Sequence, residues 1–287
     1  MPRELLVGID GSDPSRAALA WAGAVARAFD AKVVLASAWQ YPPTAVFPTA
    51  KADLQGPDQV DKQVQRTLEE LTAEVLPEGV QTEVEVLRGP AANALVHLAA
   101  RRSPIALVLG SRGLGAFEGM VLGSVSKHCL DHSSVPVVVL PHGWDEATPL
   151  RSLVVGVDGS PGAKAALAWA TELAAASGAA VLVASVLPYD QSELQDEVYR
   201  SLVIVAESDL ERWCEPLRAA QVEHRPLLVK GADPREALVD LAEEEDADLL
   251  VVGARGSGRL SRLLLGSVAN EVTRHSTRPF AVVPLDR

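Results

Sequence analysis

Two kinds of segment alternate along the chain. Short apolar, β-branched runs read as strands, and stretches of ten or more residues with apolar positions at helical spacing read as helices. In the first half the strand-like runs are ELLVGI (4–9), AKVVLASAW (31–39), VQTEVEVL (80–87), PIALVLG (104–110) and VPVVVL (135–140). In the second half they are SLVVGV (152–157), AAVLVASVL (179–187), VEHRPLLV (222–229), ADLLVVG (247–253) and RPFAVV (278–283). Near-continuous apolar runs predict strands buried on both faces. Residues 15–29, 92–102, 163–177 and 234–245 carry the helical period. Asp13 before Pro14 and Asp233 before Pro234 predict two N-caps, each followed by proline at the first helical position.

Laid against itself, the chain repeats. LLVGIDGSDPSRAALAWA (5–22) returns as LVVGVDGSPGAKAALAWA (153–170), and GSRGLGAFEGMVLGSVS (110–126) returns as GARGSGRLSRLLLGSVA (253–269). The offset falls from 148 to 143 between the two blocks, a loss assigned to the Pro-rich segment 41–57, which has a shorter counterpart after Tyr189. A period this long exceeds any solenoid unit of roughly 20–50 residues. Each copy therefore predicts a complete domain, 1–145 and 149–287, meeting near Gly143 to Leu150. Strands alternating with helices predict an α/β fold: in each copy a doubly wound, five-stranded parallel sheet of order 3-2-1-4-5 with about four helices. In such a sheet ligands sit outside the carboxyl ends of the strands where the order reverses. Those places are Asp10 and Asp158 after the first strand, and Gly110 and Gly253 after the fourth.

The chemistry-bearing pattern lies there. Gly110-x-x-Gly113, nine residues, then Gly123-Ser124 recurs as Gly253-x-x-Gly256, nine residues, then Gly266-Ser267. Glycines at a strand end let the backbone approach a ligand, and Gly-Ser opening a helix offers free amides at the positive end of the dipole, a layout suited to phosphate. The alternative is that these glycines only make turns, and Asp10 in Asp-Gly-Ser could likewise be a turn residue. No Walker A string is present, Gly113-Leu-Gly115 lacks the third glycine of a dinucleotide fingerprint, and no G-x-S-x-G elbow occurs. His128, Cys129 and His132 are metal-ligand types on one helix, but Cys129 stands where H-E-x-x-H needs its glutamate, and one helix alone rarely completes a tetrahedral shell. Trp21 and Trp169 occupy matching positions and read as core.

With both repeated blocks in view, the chain resembles the tandem universal stress proteins, in the subgroup whose G-x2-G-x9-G-[ST] signature accompanies ATP binding. The resemblance spans nearly the whole chain. It implies that Asp10 and Asp158 lie beside the ribose and adenine, and that the backbone near Ala38 and Val186 meets the adenine. It places Gly110, Gly113, Gly123, Ser124, Val125 and Ser126 around the ribose and phosphates of one pocket. Gly253, Gly256, Gly266, Ser267 and Val268 take that part in the other, and Gly8 and Gly156 at the first strand ends join the nucleotide-binding candidates. Ala269 stands where Ser126 stands, so one hydroxyl facing a terminal phosphate is absent. The loops also differ, Arg112 and Glu118 in the first against Arg255, Arg259 and Arg262 in the second. Arginine is the natural partner of phosphate oxygens, which makes Arg112 and Arg255 binding candidates; the alternative is that they are solvated loop residues. The implied ligand is ATP, with Mg as its companion ion, and the implied role is that of a stress-response regulatory module. Pairing of the short apolar fifth strands implies an intrachain pseudo-dimer and allows a homodimer of chains, with a downstream protein partner unspecified.

Charge and composition narrow the alternatives. The chain has 287 residues with 26 Lys+Arg against 38 Asp+Glu, a net charge of −12. Both halves are acidic, so nucleic acid is not expected as a partner. Two distant cysteines suit a reducing compartment. The start MPRELLVGID has no signal-like apolar region, and the longest weakly polar stretch, 173–187, falls short of the ~20 residues that span a bilayer. A cytoplasmic protein without membrane insertion is expected. Two other function classes remain open from the sequence: a slow ATPase or a phosphoryl or nucleotidyl transferase on the same fold, and an interaction scaffold that works without nucleotide.

Overall fold

The structure, a computed structural model, describes residues 3–40, 56–113, 122–144, 150–189, 195–256 and 265–285. The Pro-rich segment up to residue 55, Gly115, Glu118, Arg259, Arg262 and most of the expected domain junction lie outside the described residues. The chain divides into two compact units, Met1–Pro149 and Leu150–Arg287.

In the first unit the elements run β1 (Glu4–Gly8), α1 (Asp13–Phe29), β2 (Lys32–Trp39), α2 (Pro57–Val75), β3 (Thr82–Arg88), α3 (Ala91–Arg102), β4 (Ala106–Gly110), α4 (Ser124–His132) and β5 (Val137–Leu140). The strands are parallel in the order β3-β2-β1-β4-β5. In the second unit they run β6 (Ser152–Gly156), α5 (Pro161–Ser177), β7 (Ala180–Leu187), α6 (Asp196–Trp213), α7 (Glu215–Ala219), β8 (His224–Lys230), α8 (Pro234–Glu244), β9 (Leu249–Gly253), α9 (Ser267–His275) and β10 (Phe280–Val283). Their order is β8-β7-β6-β9-β10, again parallel. Both units are thus the doubly wound α/β sheet that the alternation of runs predicts, with β1 and β6 central. Leu5, Leu6, Val7, Leu107 and Val108 are wholly buried in the first, as are Val155, Leu249, Leu250 and Val251 in the second. Trp21 is buried and Trp169 half-buried.

Three local expectations need correction. β3 and β8 are half-exposed along most of their length rather than buried on both faces, because each ends its unit's order next to β2 or β7. The cap of α1 is Ser12, not Asp13: its backbone is extended and its side chain accepts from Ser15 N. The Asp10 carboxylate accepts from Ser12 N at 3.0 Å, and this turn sets Ser12 at the helix entrance. At α8 the expected cap holds, with Asp233 accepting from Arg235 N. Finally, the second unit has a fifth helix. Pro216 lacks an N–H and disfavours helical geometry in the residue before it, so the path breaks at Cys214 into α6 and the short α7.

At the amino ends of β1 to β3, opposite the carboxyl ends where ligands are expected, the first unit carries a partly buried charge network. Lys32 bridges Glu4 (2.9 Å) and Glu83, while Arg102 at the end of α3 reaches Glu4 (3.0 Å), Glu83 and Glu85 (2.6 Å). Burial raises the Glu4 carboxyl, but the Lys32 and Arg102 hydrogen bonds outweigh it and hold it below its ordinary value. Glu83 is lowered chiefly by Lys32. Among the described residues of the second unit, the amino end of β8 carries an exposed pair, Arg225 with Glu245 at 2.8 Å.

A depressed carboxyl pKa stabilises above the unfolded value and ceases to do so as pH falls through the folded one. Arg102→Ala should therefore cost the first unit about 2 kcal/mol near neutral pH, between an exposed and a fully buried pair. That deficit should shrink as pH drops below the ordinary glutamate value of about 4.3. Native-state hydrogen exchange checks it: amides of β1 to β3 should exchange faster in the variant while those of β6 to β8 keep wild-type rates.

Candidate functional site

At the carboxyl ends of β6 and β9 the second unit holds a cavity of about 550 Å³. Gly156, Asp158, Val186, Gly253, Arg255, Gly256, Gly266, Ser267 and Val268, the second-half residues singled out from sequence, all line it. Further lining residues were not anticipated: Ser160, Pro188, Asp233, Arg235 and Leu238 among them.

The glycines of the repeated pattern do three different jobs. Gly253 and Gly110 are packing glycines. A Cβ on Gly253 would stand 2.5 Å from the Gly162 backbone in α5, and one on Gly110 would stand 2.6 Å from the Pro14 backbone in α1. Their missing side chains admit the first turn of a helix. Gly256 and Gly113 are neighbours of the acid: a Cβ there would stand 2.7 Å from Asp158 Oδ2 and 2.1 Å from Asp10 Oδ2 respectively. Gly266 and Gly123 begin helices. Each has an extended, negative φ, so it is not conformational freedom that selects them. Their amides donate back to the residue just after the strand, Gly266 N to Ala254 O (2.8 Å) and Gly123 N to Ser111 O (2.6 Å), closing the base of each loop. Gly8 and Gly156 also pack, against Leu109 and Leu95 in one unit and Leu238 in the other.

Each acid is held by the turn that follows it. Asp10 Oδ1 accepts from Ser12 N (3.0 Å) and from Ser12 Oγ (2.6 Å), and Asp158 Oδ1 accepts from Ser160 N (3.0 Å). The serines in turn cap α1 and α5. By contrast α4 and α9 start on Gly123 and Gly266 with no side-chain cap. The amides of Ser124, Val125 and Ser126, and of Ser267, Val268 and Ala269, thus lack the side-chain acceptor that first-turn donors usually find. In the first unit Arg112 Nε and Ser111 Oγ, at the root of the glycine loop, are buried without a hydrogen-bond partner among the described residues. Donors left over at a helix start and beside it suit an anionic group.

The hydroxyl difference between the copies reads otherwise than from sequence. Ser126 is only 5% exposed and its Oγ donates to Gly110 O at 2.7 Å, so it braces the strand end from within α4. Ala269, 1% exposed, occupies the same inward position without that brace. Ala38 lies half-buried near the end of β2, beside Leu87 of β3. On α4, His128 and His132 stack on one another at 4.2 Å, whereas Cys129 turns into the core, where burial pushes its thiol up to about 12.

Asp233 and Arg235, both on the cavity wall, form a partly exposed ion pair. Arg235 Nε lies 3.0 Å from both Asp233 oxygens, a terminal nitrogen adds a third contact, and Arg235 N donates to Oδ1 at 2.9 Å. The guanidinium and then the backbone amide hold the Asp233 carboxyl down at about 2, so the pair stays charged at any physiological pH.

The family model described as the Universal stress protein family matches residues 1–141 and again 149–284. The chain belongs to the universal stress protein family. A universal stress protein of Mycolicibacterium smegmatis is 32% identical over 97% of this chain and 96% of its own length. Among solved structures, a universal stress protein from Archaeoglobus fulgidus DSM 4304 has a TM-score of 0.71 at 21% identity, covering 98% of this chain and 96% of that one, a likeness of fold. The universal stress protein from Archaeoglobus fulgidus solved in complex with dAMP is 30% identical, covers 47% of this chain and 99% of that one, and has a TM-score of 0.38. So partial a likeness says nothing of this chain's own pocket.

For a universal stress protein built this way, the glycines should separate by readout. Gly253→Ala should lower stability by about 2 kcal/mol through overpacking against α5. Gly256→Ala should leave stability nearly unchanged yet displace the Asp158 carboxylate. Thermal unfolding and the NMR signal of the Asp158 carboxyl in the two variants, side by side, check the split.

Proposed function

We propose that this universal stress protein binds an adenine nucleotide, ATP in the first instance, in each of its two domains, and acts as a stress-response regulatory module. The observation that carries the reading is the cavity at the ends of β6 and β9, lined by Asp158, the glycine loop and the uncapped start of α9. Its volume lies within the usual range for small-molecule pockets, roughly 300–1,000 Å³. Its two walls differ in character. The α9 side presents backbone amides and Arg255, suited to phosphate oxygens. The β7 side presents Val186, Pro188 and Leu238, suited to a flat apolar base. In the first domain the same roles fall to Asp10, Gly113 and the start of α4, with Arg112 Nε as an additional donor.

A magnesium ion on the phosphates, pairing of the domains through β5 and β10, a homodimer of chains and a cytoplasmic setting belong to the same proposal. They rest on the family's pattern and on the short, apolar character of those strands. No helix among the described residues is long and apolar enough to cross a membrane.

Acid extraction of freshly purified protein, with chromatographic identification of what is released, tests the reading without presupposing a ligand. ATP at about two per chain is the expected outcome. A chain that releases no nucleotide and also shows no heat on titration with millimolar ATP would leave the nucleotide-independent scaffold as the better account.

A further inference from the structure

Helix α6 packs on β7 and β8 of the second unit. Its residues 202–205 read Leu-Val-Ile-Val. Four consecutive residues pass once round a helix of about 3.6 residues per turn, so one sheet cannot cover them all. Leu202 and Val203 are half-buried, whereas Ile204 is 66% exposed and Val205 58%, the two most exposed large apolar side chains among the described residues. β-branched residues facing water cost a helix stability relative to Lys or Gln. The first unit makes that other choice. Matching buried Leu68 of α2 to buried Leu210 of α6, a match that also aligns Thr82 of β3 with His224 of β8, sets Lys62 and Gln63 at the places of Ile204 and Val205. Both are exposed.

The rest of this outward face is polar and ordered by sign. Glu197 stands near its amino end and Arg212 near its carboxyl end, with Ser201 and Ser208 between, and all four are exposed at helical spacing. Glu197 and Arg212 lie equally far on either side of the Ile204–Val205 pair, as do Ser201 and Ser208. A second α6 laid antiparallel, with a two-fold axis between Ile204 and Val205, therefore brings the second copy's Arg212 level with Glu197 and its Ser208 level with Ser201. A parallel pair would instead set each charge beside its like. Antiparallel helix dipoles add to the preference. Arg212 also meets Asp209 of its own helix, at 2.5 Å through one terminal nitrogen, which leaves further N–H donors on an exposed guanidinium. The neighbouring acid, Glu211, pairs with Arg218 at 3.3 Å.

We propose that α6 is a docking surface for a second copy of this chain, packed antiparallel about the Ile204–Val205 pair. A patch that complements itself closes as a two-fold dimer and stops there. A single pair of 18-residue helices falls short of the roughly 1,200 Å² of a standard stable interface, so the dimer is weak and reversible. This surface lies beside β7 and β8, at the other end of the strand order from β10, and is separate from any pairing of fifth strands.

Sedimentation velocity of the full-length chain, from low micromolar to hundreds of micromolar, tests the proposal. The wild-type chain should shift toward dimer as concentration rises. Ile204→Lys combined with Val205→Gln, the residues that the first unit carries at these places, should weaken the dimer by about tenfold or more. Circular dichroism should stay unchanged. Glu197→Arg and Arg212→Glu should each weaken it comparably. An equimolar mixture of those two single variants should associate again, because both charge contacts of the mixed dimer then join opposite signs. A chain that stays monomeric throughout would overturn the proposal. So would a mixture no more associated than its components, or a dimer that the Ile204→Lys, Val205→Gln chain forms as readily as wild type, which would place the contact on another surface.

Discussion

Everything at the carboxyl edge of each sheet depends on how closely the fourth strand's end approaches the first helix. At Gly110 and Gly253 there is no room for even one carbon beyond the backbone, with Pro14 or Gly162 about 2.5 Å from where it would stand. That contact brings the loop after β4 or β9 across the top of β1 or β6. Only then can Gly113 and Gly256 lie against the carboxylates of Asp10 and Asp158, and only then do α4 and α9 start beside those acids. A larger residue at the strand end would move the loop before it affected any ligand. The pocket is in this sense a by-product of tight helix-on-sheet packing, and its glycines answer first to steric constraint and second to chemistry.

The duplication then allows the two sites to diverge on a common frame. The frame is kept: Ser12 and Ser160 both hold the acid and cap the following helix, and Gly123 and Gly266 both tie the helix start to the strand end. The trim is not kept. The first domain braces Gly110 through Ser126, surrounds the amino ends of β1 to β3 with charge, and leaves Arg112 Nε without a partner among the described residues. The second replaces the brace with Ala269 and adds the Asp233–Arg235 pair. The two units thus share one frame and differ in the residues set around it.

Much of this was legible in the sequence because it depends on spacing along the chain. Strand ends, the two glycine loops and the serine-led helices recur at fixed intervals, and a parallel sheet with central first and fourth strands brings those intervals together. What was not legible depends on contacts across the chain. Nothing in the string GSRG distinguishes a glycine that packs on a helix from one that lies against the Asp10 carboxylate; only their neighbours do. Ser126 read as a hydroxyl facing a terminal phosphate; its bond to a carbonyl sixteen residues earlier leaves no mark in the local sequence. Asp233-Pro-Arg235 read as a helix start, which it is; the signal that it is also a pocket wall was the absence of a matching Asp and Arg in the first copy. The break between α6 and α7, by contrast, could have been read from Pro216 alone.

The central claim is that uncapped amides at the starts of α4 and α9 receive the ligand's phosphates. Hydrogen exchange of the full-length protein with and without saturating ATP tests it at the atoms concerned. The account predicts slowed exchange at Ser124 to Ser126 and at Ser267 to Ala269, with β2 to β3 and β7 to β8 amides nearly unchanged. Protection spread evenly over both domains, or absent from both helix starts while ATP is bound, would contradict it.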